Sequence, residues 1–330
     1  TVALGTVGLL AACGGNSSKT ETSALSAGDD LSKAVSYNEK DRSALKDGGE
    51  LRLSADGIGP NFNILNTNGY TAGNLNIQAA INSAFTGGFY ADFRGESHMN
   101  EDYVTEYKAQ TVDGVQTVTF KINPKAAFND GTPIDYKALQ ATWNILKSTD
   151  GDYKIETSGI YSSVGSVERD GDDFKVKVTF AKPYSPVNIL FGEILHPALL
   201  DKNVFNEGFV DNPHPEYAAG PFTIAEGGWN SSEKTLTLTR NDKWWGEKPI
   251  LERIVFRQMD SAAERAAFKN DEIDAAPATA AASYKELKEV ANTEMRRGVR
   301  LFSGGMIMNP ARMQDVALRR AVMAGLKREA

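Results

Sequence analysis

The 330-residue chain contains a single cysteine, Cys13, so it cannot form a disulfide bond within itself. It has only three histidines, His98, His196 and His214. None of them is spaced from another histidine, cysteine or glutamate as metal ligands are. The chain also lacks a nucleophile elbow and a Gly-x-Gly-x-x-Gly loop. We therefore predict no catalytic centre, metal or cofactor, and surface or packing roles for the histidines.

Basic residues are fewer than acidic ones. The chain has 36 Lys and Arg against 43 Asp and Glu, a net charge of -7, and no long basic run. Nucleic-acid binding needs basic patches that displace counterions, so this balance argues against a nucleic-acid partner. The hydrophobic content of 41% is typical of a globular protein, and the length suffices for one large core or two ordinary ones.

The apolar run at the start, residues 1–12, is too short to span a membrane, which takes about 20 residues. It fits the apolar part of a secretory signal. Leu-Ala-Ala-Cys-Gly at residues 10–14 resembles the lipobox of bacterial lipoproteins, in which the cysteine is acylated and becomes the mature N-terminus. The alternative is a helix end with a buried Cys13. Because the usual Met and basic residues are missing, we expect the sequence to begin inside the signal peptide.

Polar, small residues dominate positions 14–46, which predicts a flexible linker. Beyond it, strand and helix patterns alternate. Period-2 patterns and Asp-Gly turns predict a strand at 49–54, two hairpins that turn at 112–115 and 169–172, and a strand at 236–239. Helical spacing predicts helices at 75–85, at 135–147 with Asp135 as N-cap, at 261–270 with Ser261 as N-cap, and from 315 onward. The mixture indicates an α/β fold with many hairpins.

Several short segments in a fixed order carry a family resemblance. They are Phe-Asn-Asp-Gly-Thr-Pro at 128–133, Gly-Pro-Phe-Thr-Ile at 220–224, Arg-Asn-Asp-Lys-Trp-Trp-Gly-Glu-Lys-Pro at 240–249, Phe-Lys-Asn-Asp-Glu-Ile-Asp-Ala at 268–275, Met-Asn-Pro at 308–310 and the helix from Asp315. Together, behind a lipobox, they resemble family 5 extracytoplasmic solute-binding proteins. Tyr136, Trp244 and Asp271 stand where that family usually has Val, Tyr and Gly. We expect these segments to be structural, with Trp244 and Trp245 in a buried aromatic cluster and Asp274 capping a turn; the alternative is that a tryptophan stacks on the ligand.

The resemblance implies a mixed α/β, periplasmic-binding-protein type II-like two-lobe fold. The expected divisions are a partial signal peptide with lipobox at 1–13, a linker at 14–46, the N-terminal lobe at 47–290 with an inserted subdomain at about 71–164, and a hinge crossing with the start of the C-terminal lobe at 291–330. The chain ends on a helical pattern with no closing strand. We therefore expect the first lobe and only the beginning of the second.

The resemblance also implies a function: a monomeric lipoprotein, anchored outside the membrane through Cys13, that captures oligopeptides or dipeptides for the permease subunits of an ABC importer. Residues 61–63 and 304–306 resemble segments that border the ligand cleft in that family. Their short side chains and glycines would let backbone groups pair with an extended peptide. The predicted ligand-binding residues are Asn61, Phe62, Asn63, Gly304, Gly305 and Met306. An ordinary loop is the alternative for these segments, and a nickel chelate, an oligosaccharide or a lipid-tethered hydrolase for the function.

Overall fold

The structure, a computed structural model, describes residues 36, 38, 40–81, 89–91, 97–156, 159–185, 187–278, 280–296 and 308–325. The chain divides into two compact units. The first unit consists of Lys40–Asp92 and Glu96–Ala276, and the second contains the described residues from Pro277 onward. The predicted positions of the acylated Cys13 and of Gly304, Gly305 and Met306 lie outside the described residues.

The strands of the first unit, in chain order, are β1 (Glu50–Ala55), β2 (Phe89–Ala91), β3 (Ser97–Met99), β4 (Val104–Val112), β5 (Val115–Ile122), β6 (Val164–Asp170), β7 (Asp172–Phe180), β8 (Phe222–Asn230), β9 (Thr235–Arg240) and β10 (Arg253–Gln258). Its α-helices are α1 (Ala72–Ile81), α2 (Tyr136–Leu146) and α3 (Ser261–Lys269). Short 3-10 and π turns connect them, among them Pro197–Leu200 and Val204–Gly208.

One four-stranded sheet has the order β1-β10-β9-β8. Strands β8, β9 and β10 pair antiparallel, whereas β1 runs parallel to β10, with Leu51 opposite Ile254. Along β9 the leucines Leu236 and Leu238 are fully buried and alternate with threonines, as the period-2 pattern predicts. The predicted strands at 49–54 and 236–239 are therefore confirmed.

The second four-stranded sheet, of order β4-β5-β7-β6, is antiparallel throughout and consists of two hairpins. Both predicted Asp-Gly turns are confirmed, because Gly114 and Gly171 adopt φ angles of 79° and 93°, which glycine reaches without strain. The inward-facing side chains are completely buried, among them Phe120 and Val178. This sheet continues to Phe180, and the division predicted near residue 164, at the end of the inserted subdomain, stays a prediction.

Helix α2 contacts β6 and β7 and buries Leu139 and Ile145 completely. Its predicted N-cap is confirmed: an Asp135 side-chain oxygen accepts hydrogen bonds from the backbone N–H groups of Lys137 and Ala138, at 2.8 and 3.4 Å.

The cap predicted for α3 is wrong by one residue. Asp260, not Ser261, accepts from the first free backbone N–H groups, those of Ala262 and Ala263, both at 2.8 Å. Aspartate and serine are similarly good caps, and here the ionised side chain also meets the positive end of the helix dipole.

Two further predictions concern the tryptophan cluster and Asp274; the first is confirmed and the second is wrong. The aromatic cluster is confirmed. The ring centroids of Trp244 and Trp245 lie 4.5 Å apart, and those of Tyr103 and Trp245 lie 5.3 Å apart. Both tryptophans are only half-buried. Asp274 does not cap a turn. Its carboxylate accepts from the Arg52 backbone N–H at 2.6 Å and from the Arg52 guanidinium at 2.7 Å, which ties the segment after α3 to β1.

In the second unit the described residues form α4 (Ala281–Leu287) and α5 (Val316–Gly325). The helix predicted from 315 onward is confirmed, and Asp315 accepts from the Ala317 and Leu318 backbone N–H groups at its start. Within the part of the chain that the structure describes, no helix has the length and apolar character needed to cross a membrane. Helix α1 begins three residues before its predicted start, at Ala72, and residues 82–88 lie outside the described part.

Candidate functional site

A small cavity of about 40 Å³ lies within the first unit and opens to solvent. One wall consists of residues 62–65 together with Gln78 and Ile81 of α1. The opposite wall consists of residues 193–196 and 199, and a third segment, from Phe209 to Ala218, completes the lining. Apolar residues are the majority of the lining residues, and polar side chains contribute almost as much of the exposed surface.

The first wall is held by asparagines. Asn61, Asn63 and Asn66 each accept, through Oδ1, the backbone N–H two residues further on, at 2.9, 3.1 and 2.9 Å. Such local bonds fix successive turns without a helix or a strand. The Asn63 and Asn66 amides then donate to the carbonyls of Phe205 and Asn206, at 2.9 and 3.1 Å, so the loop is attached to the π turn beside it.

Asn74 of α1 clamps the same loop from the other side. Its Oδ1 accepts from the Gly59 N–H at 2.9 Å, and its amide donates to the carbonyls of Asn61 and Gly69, at 2.8 and 3.0 Å. The residue is 1% exposed, so all three bonds are shielded from water. Gly69 is required for close approach, because a Cβ there would lie 2.0 Å from the Asn63 carbonyl oxygen.

The burial of the predicted ligand-binding residues limits their contact with a ligand. Asn61, Phe62 and Asn63 are 2%, 2% and 4% exposed, and both asparagine side chains are engaged within the protein. Phe62 and Asn63 line the cavity, whereas Asn61 is not part of its wall. Ligand contact by these residues stays a prediction, and their burial favours a supporting role for Asn61.

The second wall is an irregular segment fixed at two points. The Phe191 backbone N–H donates to the Tyr161 hydroxyl at 3.0 Å, and the Leu195 backbone N–H donates to the Thr142 hydroxyl of α2 at 2.8 Å. Phe191 has a φ of 56°, a left-handed conformation that is uncommon for a bulky residue. Glu193 lies between these two points, so its position is set by buried side chains on both sides.

Three rings form a stack in the third segment. The Tyr217 ring lies between His196 and His214, with centroid distances of 4.4 and 4.9 Å and interplanar angles of 18° and 14°. The three rings all line the cavity. They present a flat, rigid surface that costs little conformational entropy when a ligand packs against it.

Carboxylates orient both histidines from behind. His196 Nδ1 accepts the Ala198 backbone N–H at 3.1 Å, so its hydrogen sits on Nε2, which donates to Asp130 at 3.1 Å. Burial lowers the pKa of His196, and Asp130 offsets only part of this effect. Burial acts to raise the pKa of Asp130, but hydrogen bonds from Thr132 and His196 outweigh it and hold the pKa below its usual value. His214 Nδ1 donates to Glu216 at 2.6 Å.

Glu193 differs from the other acidic residues around the cavity. Its side chain is half-buried, has no hydrogen bond or ion pair with any described residue, and lies deep enough that desolvation raises its pKa to about 7. No motif or spacing in the sequence points to it. The available signal was its place as the one charged residue in the otherwise apolar stretch 189–195, Ile-Leu-Phe-Gly-Glu-Ile-Leu.

The described residues contain no group of three or more His, Cys, Asp or Glu side chains arranged to hold a metal ion.

Solved structures share the fold of this chain. The periplasmic EDTA-binding protein EppA superposes with a TM-score of 0.61 at 23% identity, over 75% of this chain and 45% of that one. The oligopeptide-binding protein AppA from Bacillus subtilis, in complex with a nonapeptide, gives 0.58 at 22% identity, over 75% and 47%. At these identities the likeness establishes the fold, which is that of one part of a periplasmic-type binding protein.

The sequence then identifies the family. The model of bacterial extracellular solute-binding proteins, family 5 Middle, matches residues 100–330, and the chain belongs to this family. The oligopeptide-binding protein OppA of Mycobacterium tuberculosis is 33% identical over 301 residues, which are 88% of this chain and 49% of OppA. A second relative is named "Probable D,D-dipeptide-binding periplasmic protein DdpA", from Escherichia coli. It is 24% identical over 59% of this chain and 37% of DdpA. The chain thus spans about half the length of the curated relatives it matches.

Proposed function

We propose that the protein captures short peptides outside the membrane, as a monomer, and delivers them unchanged to the permease of an ABC importer. The observation that carries this proposal is the 33% identity to OppA, a protein named for oligopeptide binding, across 88% of the chain. Family membership supports an extracellular binding role rather than an enzymatic one.

The cavity supports the same proposal. Its walls are fixed by buried hydrogen bonds that the side chains of Asn74, Thr142 and Tyr161 make with the backbone, so no ligand is needed to hold them in place. A preformed site loses less conformational entropy on binding and gains affinity for that reason. In the complete two-lobe protein, the solute would bind between the lobes beside residues 61–63 and 304–306, and hinge closure would present the loaded form to the permease.

Calorimetry on the full-length protein tests the cargo, with tetra-alanine, a nickel–histidine chelate and maltotriose as three probes of different chemistry. If the cargo is a peptide, tetra-alanine should bind at least about tenfold more tightly than the chelate or the oligosaccharide. Preference for the chelate or for the oligosaccharide would replace the peptide by that cargo. Mass spectrometry of the recovered probes checks for turnover, and cleavage products would replace the transport function by a hydrolytic one.

The membrane anchor is a separate part of the proposal. We propose that Cys13 is acylated, because Leu-Ala-Ala-Cys-Gly at residues 10–14 resembles a lipobox. Two acyl chains would hold the protein on a membrane stably, at about 0.8 kcal/mol per buried methylene group. Cys13→Ala should release the full-length protein from the membrane fraction, and globomycin should block its processing. If neither treatment changes processing or membrane retention, Cys13 is not the anchor.

A further inference from the structure

The segment at 61–74 is rich in asparagine, and one of its asparagines differs from the others. Asn61, Asn63, Asn66 and Asn74 all bond through their side chains to backbone groups. The backbone N–H of Asn68 donates to Asn66 at 2.9 Å, but its side-chain amide has no hydrogen bond with any residue that the structure describes, and the residue is exposed. The Asn68 amide is therefore available for reaction.

The residue that follows makes this asparagine reactive. Asn68 and Gly69 form the one Asn-Gly pair in the 330 residues. An asparagine side chain reacts most readily with the next backbone nitrogen when glycine supplies it, because no Cβ shields the nitrogen and the backbone rotates freely. The fold requires glycine here, since a Cβ on residue 69 would lie 2.0 Å from the Asn63 carbonyl oxygen. Close packing of the loop thus keeps the reactive pair in the sequence.

We propose that Asn68 is a site of spontaneous modification, at which the protein converts to isoaspartate as it ages. The deprotonated Gly69 nitrogen attacks Cγ of the Asn68 side chain, the bond from Cγ to Nδ2 breaks, and the amide nitrogen leaves as ammonia. The product is a five-membered succinimide ring. Water then opens the ring: attack at the backbone carbonyl carbon gives isoaspartate, and attack at Cγ gives aspartate. Water is the one co-reactant in this sequence.

The fold sets the rate through two hydrogen bonds at Gly69. Its N–H donates to the Asn66 carbonyl at 2.8 Å, and its carbonyl accepts from the buried Asn74 amide at 3.0 Å. The nitrogen must lose its proton before it attacks, so the first bond has to open, and the second bond resists the accompanying movement of the chain. The reaction in the folded protein therefore passes through local opening of the loop, and Asn74 is a positioning residue that slows it.

Isoaspartate would damage the loop, whereas aspartate would not. In isoaspartate the backbone runs through the former side chain, which adds one atom between the Asn68 Cα and the Gly69 nitrogen. The surroundings of Gly69 leave no space for this shift, because even a Cβ there would lie 2.9 Å from the Asn61 carbonyl oxygen and closer still to that of Asn63. The modified loop would lose the bonds by which Asn74 supports residues 61–63.

The first test follows Asn68 in the full-length protein at pH 7.5, both folded and in concentrated urea. Peptide mapping by mass spectrometry measures conversion, and isoaspartyl methyltransferase, which methylates isoaspartate and not aspartate, identifies the product. In urea Asn68 should convert faster than every other asparagine of the chain. In the folded protein it should convert measurably over several weeks, but at least about tenfold more slowly than in urea, because the loop must open first.

Each alternative result of this test has a definite meaning. If another asparagine is faster in urea, Asn68 is not the site. Without any conversion in the folded protein, the native state does not age at this position. Equal rates in the two states would overturn the restraint by the fold.

Two variants locate the restraint. Asn74→Ala removes the bond to the Gly69 carbonyl, whereas Val178→Ala removes buried methyl groups from the second sheet and leaves the loop bonds in place. Conversion of Asn68 in the folded protein should accelerate at least about fivefold in Asn74→Ala and less than about twofold in Val178→Ala. Equal acceleration would mean that the loop opens only with the whole unit, and Asn74 would lose its role. The comparison of folded with unfolded wild type holds whether or not Asn74→Ala folds.

Thermal unfolding tests the damage. Partly converted wild type should show a second transition at lower temperature, in proportion to its isoaspartate content. Asn68→Gln, whose longer side chain closes the corresponding ring far more slowly, should show one transition after the same incubation. Freshly prepared Asn68→Asp should melt with wild type, since it adds the charge without the extra backbone atom. A single transition in converted wild type, or an equal loss in Asn68→Asp, would overturn the damage assigned to isoaspartate.

Discussion

Glu193 makes the stability of the first unit depend on pH in a direction opposite to that of an ordinary carboxylate. Burial raises its pKa from 4.5 to about 7, so between these values the folded state binds more protons than the unfolded state. Stability from this group is therefore fully present below about pH 4.5 and is lost as the pH rises through 7. A shift of this size corresponds to at most about 3 kcal/mol.

The measurement is the free energy of unfolding in urea between pH 5 and about pH 9, without ligand. Wild type should lose stability relative to Glu193→Gln as the pH rises, and the two curves should be parallel above pH 8. The comparison cancels the contributions of the other titratable groups nearby. These are His196, His214 and Tyr217, which line the cavity with Glu193, Tyr161, which interacts with it electrostatically, and Asp130 and Glu216, which pair with the two histidines. Parallel curves across the whole range would show that Glu193 is not buried in the folded state.

Asn74 is the residue on which the first cavity wall depends most. Asn74→Ala removes three buried hydrogen bonds and leaves the Gly59 N–H and the Asn61 and Gly69 carbonyls without their partner. We expect a loss of about 2–4 kcal/mol of unfolding free energy, because each buried unsatisfied group costs about 1–3 kcal/mol and water can reach some of them.

The matched control is Asn68→Ala. Asn68 is exposed and belongs to the same loop, so its replacement should change the unfolding free energy by no more than about 0.5 kcal/mol. Equal effects of the two substitutions in urea unfolding would contradict the role assigned to Asn74.

Single residues differ in how well the sequence predicts them. Asp135 could be recognised as a cap because capping is local and depends on the three residues that follow. The roles of Asn61 and Asn63 could not, because their amides donate to Phe205 and Asn206, which lie about 140 positions away. Glu193 was overlooked for the same reason: its isolation depends on side chains from three distant segments.

At the scale of elements, the hairpin of β4 and β5 shows how burial divides one strand pair into two regions. Phe120 is completely buried against Phe191 and Tyr107, whereas Val112 at the turn is 57% exposed. Phe120→Ala should destabilise the unit by about 3–5 kcal/mol, the usual cost of a large cavity in a core.

Val112→Ala should stay within about 0.5 kcal/mol of wild type, since it removes methyl groups that water already reaches. The unfolding free energies of both variants are to be measured by urea unfolding, followed by tryptophan fluorescence. A small effect of Phe120→Ala would mean that the hairpin is not packed as described.

The hairpins themselves were predictable, because Asp-Gly turns and the alternation of apolar residues are properties of adjacent positions. The pairing of β5 with β7 was not, although both strands were recognised. Each has a fully buried face, and nothing in either pattern states which other strand it meets.

At the scale of the whole molecule, the first unit has its own core and two complete sheets, so we expect residues 40–276 to fold alone. This piece should unfold in one cooperative transition, detected by the fluorescence of its four tryptophans.

A piece that ends after Leu251 is the control. It lacks β10, which pairs with both β1 and β9, and should show no cooperative transition. If residues 40–276 behave like this control, the unit depends on residues outside it.

The arrangement of the first sheet has a consequence for biosynthesis. Leu51 of β1 finds its partner Ile254 about 200 positions later, so β1 leaves the ribosome long before β10 does. At a synthesis rate of roughly 5–20 residues per second the earlier strand waits about 10–40 s. The antiparallel hairpins between them can close during this interval, but the parallel pair cannot. In a nascent chain, β1 therefore has no parallel partner until the ribosome has translated β10, and its backbone groups stay unpaired along that edge for the whole interval.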